Sequence, residues 1–438
     1  MNSLEQIMER TQWFRHDRFG LFIHWGLYAI PARGEWVRST EQMPAEAYEP
    51  LREEFNPVDF DPRAWARAAR EAGMRYAVLT AKHHDGFCLF DSQYTDFKST
   101  NTPCGRDLVR EFLDAFRAEG LKVGLYYSLI DWHHPDYPAK GDRTHPLRET
   151  GRPADAPAER FDRYLAYMHG QVEELATRYG KLDIMWFDFS YEEMMGEKWR
   201  ATELIRMLRS HQPHVITDNR LEASGEGFGS IATGKPTEYS GDFVSPEQII
   251  PPQGLTDALG RPIPWECCLT MNNNWGYCQF DDNFKSPRVL IRKLVECVSK
   301  GGNMLLNVGP DARGNIPPRS LEIMAEIGRW LRANGDSIYG AGPADYPKPD
   351  YGRLTAKGDK LYLHVMEETI GPVPFSFISK ERIARVRLLS TGAELPIADE
   401  WTTRNYPEYS FIALGKEPMQ TYALPDGNDT VIELTLKP

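Results

Sequence analysis

The chain has 438 residues, 41% of them hydrophobic and 26% charged, which is ordinary for a globular protein with a sizeable core. Its formal net charge is −12 and its lysines and arginines form no long run, so neither nucleic acid nor an anionic membrane surface is an expected partner. No segment approaches the roughly 18 consecutive apolar residues of a membrane-spanning helix. Residues 1–20 lack the apolar core of a signal peptide, so we expect a cytoplasmic chain, or a periplasmic or secreted one if a leader has been removed.

Short apolar runs alternate with amphipathic stretches over the first three quarters of the chain, which is typical of repeated βα units. Several runs are apolar almost without interruption, as parallel strands covered on both faces should be. The predicted strands are residues 19–24, 76–80, 122–128, 183–188, 214–218, 265–270 and 303–308. The predicted helices are residues 63–72, 107–119, 159–179, 193–209, 287–299 and 318–334. Seven strands and one unidentified further strand favour an α/β fold, a (β/α)8-like barrel of the TIM type.

The pattern changes after Tyr339, where helical periodicity stops and alternation of the β type takes over. The predicted strands of this part are residues 360–366, 374–378, 384–390, 409–414 and 430–436. We therefore expect two domains, a (β/α)-barrel over residues 1–340 and a small antiparallel β-sandwich over residues 341–438.

Polar and aromatic residues follow nearly every predicted barrel strand, which is where the active sites of such barrels lie. The candidate site residues are His24, Trp25, Glu35, Trp36, His83, His84, Tyr126, His133, Trp186, Asp188, Arg220, Glu247, Glu266 and Trp275. The hydroxyl groups of a pyranose need fixed donors and acceptors, and glycoside hydrolysis needs two carboxylates. This set of residue types therefore points to sugar chemistry.

Several of these residues also have ordinary structural explanations. Asp188 could cap the helix that follows its strand, and Glu35 could be a solvated loop glutamate. Arg220 could be a structural counter-ion to Asp218, and Trp275 could belong to the core. From the residues alone, these alternatives stay open.

The histidine pairs indicate a rival function, a metal-dependent barrel hydrolase. The candidate zinc ligands are His83, His84, His133, His134, Asp85 and Asp131. Neighbouring residues of an extended chain point in opposite directions, so only one histidine of each pair can readily face a common ion. The six cysteines form no CxxC pair. We therefore predict no metal and no cofactor, and keep the metal-dependent hydrolase as an alternative.

Seven short motifs, in chain order, resemble those of the α-L-fucosidases of glycoside hydrolase family 29. The motifs are His24-Trp25-Gly26, Gly34-Glu35-Trp36, Lys82-His83-His84-Asp85-Gly86-Phe87, Gly124-Leu125-Tyr126-Tyr127-Ser128, Trp186-Phe187-Asp188, Trp275-Gly276-Tyr277 and the run from Gly302 to Pro310. The resemblance is dense over residues 10–340. Phe189 departs from it, because the family often has glycine after this aspartate, and we expect the change to affect the pocket wall rather than the chemistry.

The resemblance implies a retaining exo-α-L-fucosidase that removes terminal α-L-fucosyl residues from oligosaccharides or glycoconjugates by double displacement, without a cofactor. Asp188 matches the family's nucleophile. The acid/base lies between Glu247, in a loop of the acid-bearing type, and Glu266, beside Trp265 at a strand start; we favour Glu247. The expected sugar-binding residues are His24, Trp25, Glu35, Trp36, His83, His84, Tyr126, His133, Trp186, Arg220 and Trp275.

Two further alternatives remain at this point. Another retaining exo-glycosidase, such as a galactosidase, would differ mainly in the wall that meets the C6 methyl group of fucose, for which Trp275 is the candidate. A catalytically inactive fucose-binding module would bind the sugar without turnover, but the intact Asp188 argues against it. The motifs leave open the linkage that is cleaved and whether the chain forms a homo-oligomer.

Overall fold

A computed structural model describes residues 3–139, 142–150, 158–191, 193–224, 227–376 and 378–437. All seven predicted barrel strands are confirmed. Their bounds are β1 Phe19–Ile23, β2 Tyr76–Lys82, β3 Lys122–Ser128, β4 Ile184–Asp188, β5 Ile216–Thr217, β6 Glu266–Thr270 and β7 Asn303–Val308. The strands pair in parallel in the order β5-β4-β3-β2-β1-β7-β6, so the carboxyl ends of all seven meet at one edge of a curled sheet.

Helices lie before, between and after these strands. Their bounds are α1 Leu4–Arg10, α2 Gln12–Asp17, α3 Val37–Thr40, α4 Ala45–Tyr48, α5 Pro62–Glu71, α6 Leu108–Ala118, α7 Ala158–Arg178, α8 Ala201–His211, α9 Pro287–Ser299 and α10 Pro318–Asn334. The prediction that α8 begins at residue 193 is wrong, because Arg200 has a φ of 50°, which an α-helix does not allow. Within the described residues, no helix combines the length and apolar character that crossing a bilayer requires.

An irregular segment, residues 242–248, closes the barrel between β5 and β6. The amide of Asp242 donates to the carbonyl of Thr217 on β5 at 2.7 Å, and the amide of Glu266 on β6 donates to the carbonyl of Val244 at 2.8 Å. The segment is therefore the eighth strand that the periodicity did not reveal. It contains Pro246, which cannot donate to a ladder, and it lacks the uninterrupted apolar run of the other strands.

Side chains at alternate positions of the strands fill the barrel interior, as the pleat of a strand requires. This inner cluster includes Phe22, Tyr76, Tyr126, Trp186, Cys268 and Leu305. Gly20 makes room for one of these rings, since a Cβ atom there would lie 2.2 Å from the ring of Tyr76. Aromatic side chains thus fill much of the barrel interior directly beneath the polar residues at the carboxyl ends of the strands. We call this inner cluster the aromatic floor.

Two antiparallel sheets follow the barrel, as predicted. Their strands are β8 Gly352–Lys357, β9 Lys360–Val365, β10 Val373–Ser376, β11 Ile383–Leu388, β12 Tyr409–Ile412 and β13 Thr430–Leu436. One sheet has the order β11-β13-β9-β8 and the other pairs β10 with β12. Leu363 and Ile432 of the first sheet share a buried cluster with Phe375 and Ile412 of the second, which makes the pair a sandwich. Strand β8 was not predicted, and Phe377, at the end of the predicted strand 374–378, lies outside the described residues.

Candidate active site

A cavity opens where the carboxyl ends of the barrel strands meet. Its walls are Phe22, His24, Trp36, His83, His84, Tyr126, Trp186, Asp188, Phe189, Arg220, Glu247, Cys268 and Trp275. Most of the site residues expected from the sequence lie here. Phe22 and Cys268 were not named beforehand, although each stands two residues from a candidate on the same strand, His24 and Glu266, and so shares its face.

Asp188 is the last residue of β4 and points into the cavity. One of its oxygens, Oδ2, accepts a hydrogen bond from the Tyr126 hydroxyl at 2.7 Å. The other, Oδ1, accepts from Nη1 of Arg220 at 3.0 Å. Burial raises the pKa of Asp188 to about 6, although Arg220 and the Tyr126 hydroxyl favour the charged form. The carboxylate is therefore oriented by two donors and stays ionised near neutral pH.

Arg220, just beyond β5, joins the two carboxylates of the cavity. Its Nη2 atom donates to Oε2 of Glu247 at 3.1 Å, while Nη1 holds Asp188. The Ser245 hydroxyl accepts from Nε at 2.9 Å, and the guanidinium lies 5.1 Å from the ring centre of Trp186. The guanidinium thus donates to Asp188, Glu247 and Ser245, and the suggested partner Asp218 instead accepts from the amide of Phe187.

Glu247 lies on the irregular eighth strand, in parallel register with Cys268 of β6. Its side chain is 41% exposed, whereas that of Asp188 is 15% exposed. The two carboxylates therefore differ in environment, since one is enclosed by the barrel and the other stands at the rim. Such a difference is how paired carboxyl groups take separate roles in catalysis.

Three buried histidines, His24, His83 and His84, form one wall of the cavity. Nδ1 of His24 is hydrogen-bonded to Oδ1 of Asn307 at 2.7 Å, and Nδ1 of His84 to the Ser128 hydroxyl at 2.7 Å. Burial lowers the pKa of all three, that of His24 to about 3, so the rings are neutral. A neutral imidazole can donate from one nitrogen and accept at the other, which suits sugar hydroxyl groups. Across the described part of the chain, no group of three or more His, Cys, Asp or Glu side chains is arranged to hold a metal ion.

Trp25 and His133 lie outside the cavity. Trp25 packs against Phe60 with ring centres 5.0 Å apart, and its Nε1 donates to the carbonyl of Asp311 at 2.9 Å. His133 stacks on Phe97 at 4.1 Å, and its Nε2 is hydrogen-bonded to Glu49 at 2.8 Å. Both side chains follow strand ends but turn towards the surrounding loops rather than the barrel axis.

Glu35 is buried behind the cavity wall and supports it. Its Oε2 atom accepts hydrogen bonds from the amides of Trp275 at 3.1 Å and of Gly276 at 2.7 Å. Burial raises the pKa of Glu35 to about 7, and the two amides oppose that shift. The contact fixes the backbone of the loop from which the Trp275 ring enters the cavity.

Glu266 begins β6, at the end of the barrel away from Asp188. It accepts a hydrogen bond from the Tyr76 hydroxyl, which stands at the start of β2. The side chain is fully buried, and burial raises the pKa of Glu266 to about 8. Glu266 does not line the cavity, so the structure brings Asp188 together with Glu247 rather than with Glu266.

The residue after each cavity carboxylate has a left-handed backbone. Phe189 has a φ of 82° and Gln248 a φ of 58°, a region that favours glycine. The ring of Phe189 lies edge-on to His84 at 5.0 Å and near Trp36 at 5.8 Å, so it forms part of the pocket wall. Strain of this kind costs about 1–3 kcal/mol and collects at functional sites.

Comparison with known proteins identifies similar chains. The profile of the α-L-fucosidase family matches residues 1–336. The chain is 31% identical to tissue α-L-fucosidase of Rattus norvegicus over 76% of this chain and 70% of that protein. It is 57% identical to the structure of α-L-fucosidase isoenzyme 1 from Paenibacillus thiaminolyticus, with a TM-score of 0.94 over 99% of this chain and 100% of that one. A family 29 α-L-fucosidase of Bacteroides thetaiotaomicron, trapped as a covalent intermediate with 2-fluoro-fucosyl fluoride, is 31% identical with a TM-score of 0.82 over 98% of this chain and 96% of that one.

Replacing Phe189 tests the backbone strain. Both Phe189→Gly and Phe189→Ala remove the ring, but only glycine adopts a φ of 82° without cost. We expect the glycine variant to be more stable than the alanine variant by about 1 kcal/mol in urea unfolding. At Phe411, in β12, the same pair should show the usual order, with alanine more stable. An alanine variant at Phe189 as stable as the glycine variant would contradict the strain.

Proposed function

The chain belongs to the α-L-fucosidase family, and on that premise we propose which of its side chains carry out the reaction. The chain is a retaining α-L-fucosidase, a glycoside hydrolase that removes terminal α-L-fucosyl residues by double displacement. The observation that carries our assignment is the single guanidinium of Arg220, which contacts the carboxylates of Asp188 and Glu247 in one cavity.

Asp188 is the proposed nucleophile. Its Oδ atoms are held by Tyr126 and Arg220, so the carboxylate needs little reorganisation before it attacks. Attack on the anomeric carbon forms an ester bond between Asp188 and fucose, and the bond from that carbon to the glycosidic oxygen breaks with its electron pair on the oxygen. Removing the negative charge from Asp188 in this step also frees donors of Arg220 and Tyr126.

Glu247 is the proposed acid/base. In the first step its carboxylic acid gives a proton to the departing oxygen, and in the second the carboxylate takes a proton from the water that attacks the ester. A group that meets leaving alcohol and water in turn must reach solvent, and the 41% exposure of the Glu247 side chain suits that role. The buried position of Glu266 does not.

The cavity walls supply the proposed contacts to the sugar. The neutral imidazoles of His24, His83 and His84 are placed to exchange hydrogen bonds with hydroxyl groups. Phe22 and Trp275, with ring centres 5.9 Å apart, offer an apolar face for the C6 methyl group. A hydroxymethyl group, as in galactose, would bury an unpaired hydroxyl against that face.

We also propose a domain boundary near residue 340, with a catalytic barrel domain over residues 1–340 and a β-sandwich domain over residues 341–438. Most buried apolar side chains of the two antiparallel sheets form a cluster of their own, while Tyr362 and Val431 pack in the main cluster of the barrel. Trp330 of α10 links the two parts, because its Nε1 donates to the carbonyl of Asp429 at 2.9 Å.

Removing the nucleophile tests the first assignment. Asp188→Ala should lower kcat on aryl α-L-fucosides by about four orders of magnitude or more, because no ester can form. Azide should restore part of the turnover by occupying the vacated space and attacking in place of the carboxylate. The far-UV circular dichroism should stay as in the wild type. Turnover within tenfold of the wild type would remove Asp188 from this role.

The pH profile tests the environment of Asp188. The group must be ionised to attack, and burial raises its pKa to about 6, so protonation as the pH falls through 6 removes the nucleophile. We expect kcat/KM for α-L-fucosyl fluoride to fall about tenfold per pH unit below about 6. Fluoride needs little proton donation, so the acid/base does not dominate the profile. A flat profile down to pH 4 would contradict an elevated pKa at the nucleophile.

Leaving-group dependence tests the acid/base. Glu247→Gln should slow hydrolysis of fucosyl oligosaccharides by about 10²–10⁴-fold, because their alcohols leave only with a proton. The same variant should cleave α-L-fucosyl fluoride in the first step at nearly the wild-type rate. Glu266→Gln is the matched control and should show no such dependence on the leaving group. If the Glu266 variant shows the dependence and the Glu247 variant does not, the assignment is reversed.

A further inference from the structure

We propose that a second cavity beside the fucose pocket binds the leaving group and favours leaving groups with an apolar face. We call it the leaving-group cleft; its walls include Phe228, Pro246, Glu247, Ile249 and Leu255. Its volume of about 540 Å³ lies within the usual range for small-ligand sites. The inference rests on the proposed role of Glu247.

Continuity with the fucose pocket identifies the occupant. Arg220 and Glu247 line both cavities, so the acid stands on the border between them. A general acid must reach the oxygen that it protonates, and that oxygen joins fucose to the leaving group. With fucose above Asp188, the group beyond the glycosidic oxygen therefore extends past Glu247 into the cleft.

The walls of the cleft set its preference. The side chain of Ile249 is 72% exposed and that of Phe228 is 39% exposed. Among the described residues that line the cleft, the charged ones are Arg220 and Glu247, which are hydrogen-bonded to each other and also line the fucose pocket. An aryl or alkyl group, or the C–H face of a sugar, can cover these apolar surfaces and release the water on them.

The apolar wall is held in place from behind. Ile249 follows the left-handed Gln248, whose Nε2 donates to the Thr270 hydroxyl at 3.1 Å. The carbonyl of Ile249 accepts from Sγ of Cys267 at 3.5 Å, and that of Pro251 accepts from Nζ of Lys300 at 2.7 Å. Because the Ile249 side chain is exposed, it contributes little to the stability of the fold. Because its backbone is anchored, the wall is already formed before the leaving group binds, which lowers the entropy cost of binding.

Two activated substrates separate the cleft from the fucose pocket. 4-Nitrophenyl α-L-fucoside carries an aryl leaving group, and α-L-fucosyl fluoride carries almost none; neither depends strongly on proton donation. We expect Ile249→Ser and Phe228→Ala each to lower kcat/KM for the aryl fucoside about tenfold. The value for fucosyl fluoride should stay within about twofold. Ile249→Leu should behave as the wild type on both substrates.

The control is Ile370→Ser, because Ile370 is 95% exposed and lies in the β-sandwich part. This variant should leave kcat/KM unchanged for both substrates. If Ile249→Ser and Phe228→Ala lower kcat/KM equally for both substrates, or for neither, the proposal that the cleft binds the leaving group is wrong. A change in oligomeric state on size-exclusion chromatography of Ile249→Ser would show that a second copy covers this wall, and would also overturn it. The Glu247→Gln experiment gives a separate result. If Glu247→Gln shows no dependence on the leaving group while Ile249→Ser lowers kcat/KM for the aryl fucoside alone, Glu247 is not the acid, but the leaving group still contacts the cleft.

Discussion

The site depends on one buried cation between two carboxylates. Arg220 donates to Asp188 with one arm of its guanidinium and to Glu247 with the other. Without this cation the two negative charges would repel each other, and burial would favour the protonated form of Asp188. Nearness to Asp188 and Glu247 raises the pKa of Arg220 above its usual range, against the opposing effect of burial. Arg220 therefore stays positively charged at any working pH. It lies between Asp188 and Glu247 and reduces the repulsion between them.

The barrel supplies these two carboxylates in different ways. Asp188 ends a regular strand that pairs with β3 along its whole length, so its position is rigid. Glu247 lies near the end of an irregular strand that carries a proline and few ladder hydrogen bonds, and its side chain reaches the rim. Two of the six non-glycine residues with positive φ in the described ranges, Phe189 and Gln248, directly follow them. The backbone thus bends sharply after each reactive group, and the bend after Asp188 places Phe189 in the pocket wall.

The regular strands were predictable because a strand buried on both faces leaves an uninterrupted apolar run in the sequence. Asp188 became a candidate because it closes such a run, and the family resemblance supplied its role as the nucleophile. The eighth strand leaves no run, so the sequence could not choose between Glu247 and Glu266 by position. Trp25 and His133 show a second limit: near a strand end, the direction of a side chain depends on local backbone angles that periodicity does not contain. The strain at Phe189 is likewise invisible in the residue letters, although its departure from the family pattern marked the place.

The aromatic floor of the barrel links packing to chemistry. Phe22 and Trp186 exclude water from beneath the cavity, and the same exclusion raises the pKa of Asp188 and lowers that of His24. Neutral histidines leave Arg220 as the main positive charge facing the nucleophile. Were the histidines charged, they would hold the carboxylate of Asp188 more tightly and weaken its attack. The exclusion of water by this packing therefore keeps the sugar-binding histidines neutral, and it also keeps the nucleophile Asp188 reactive.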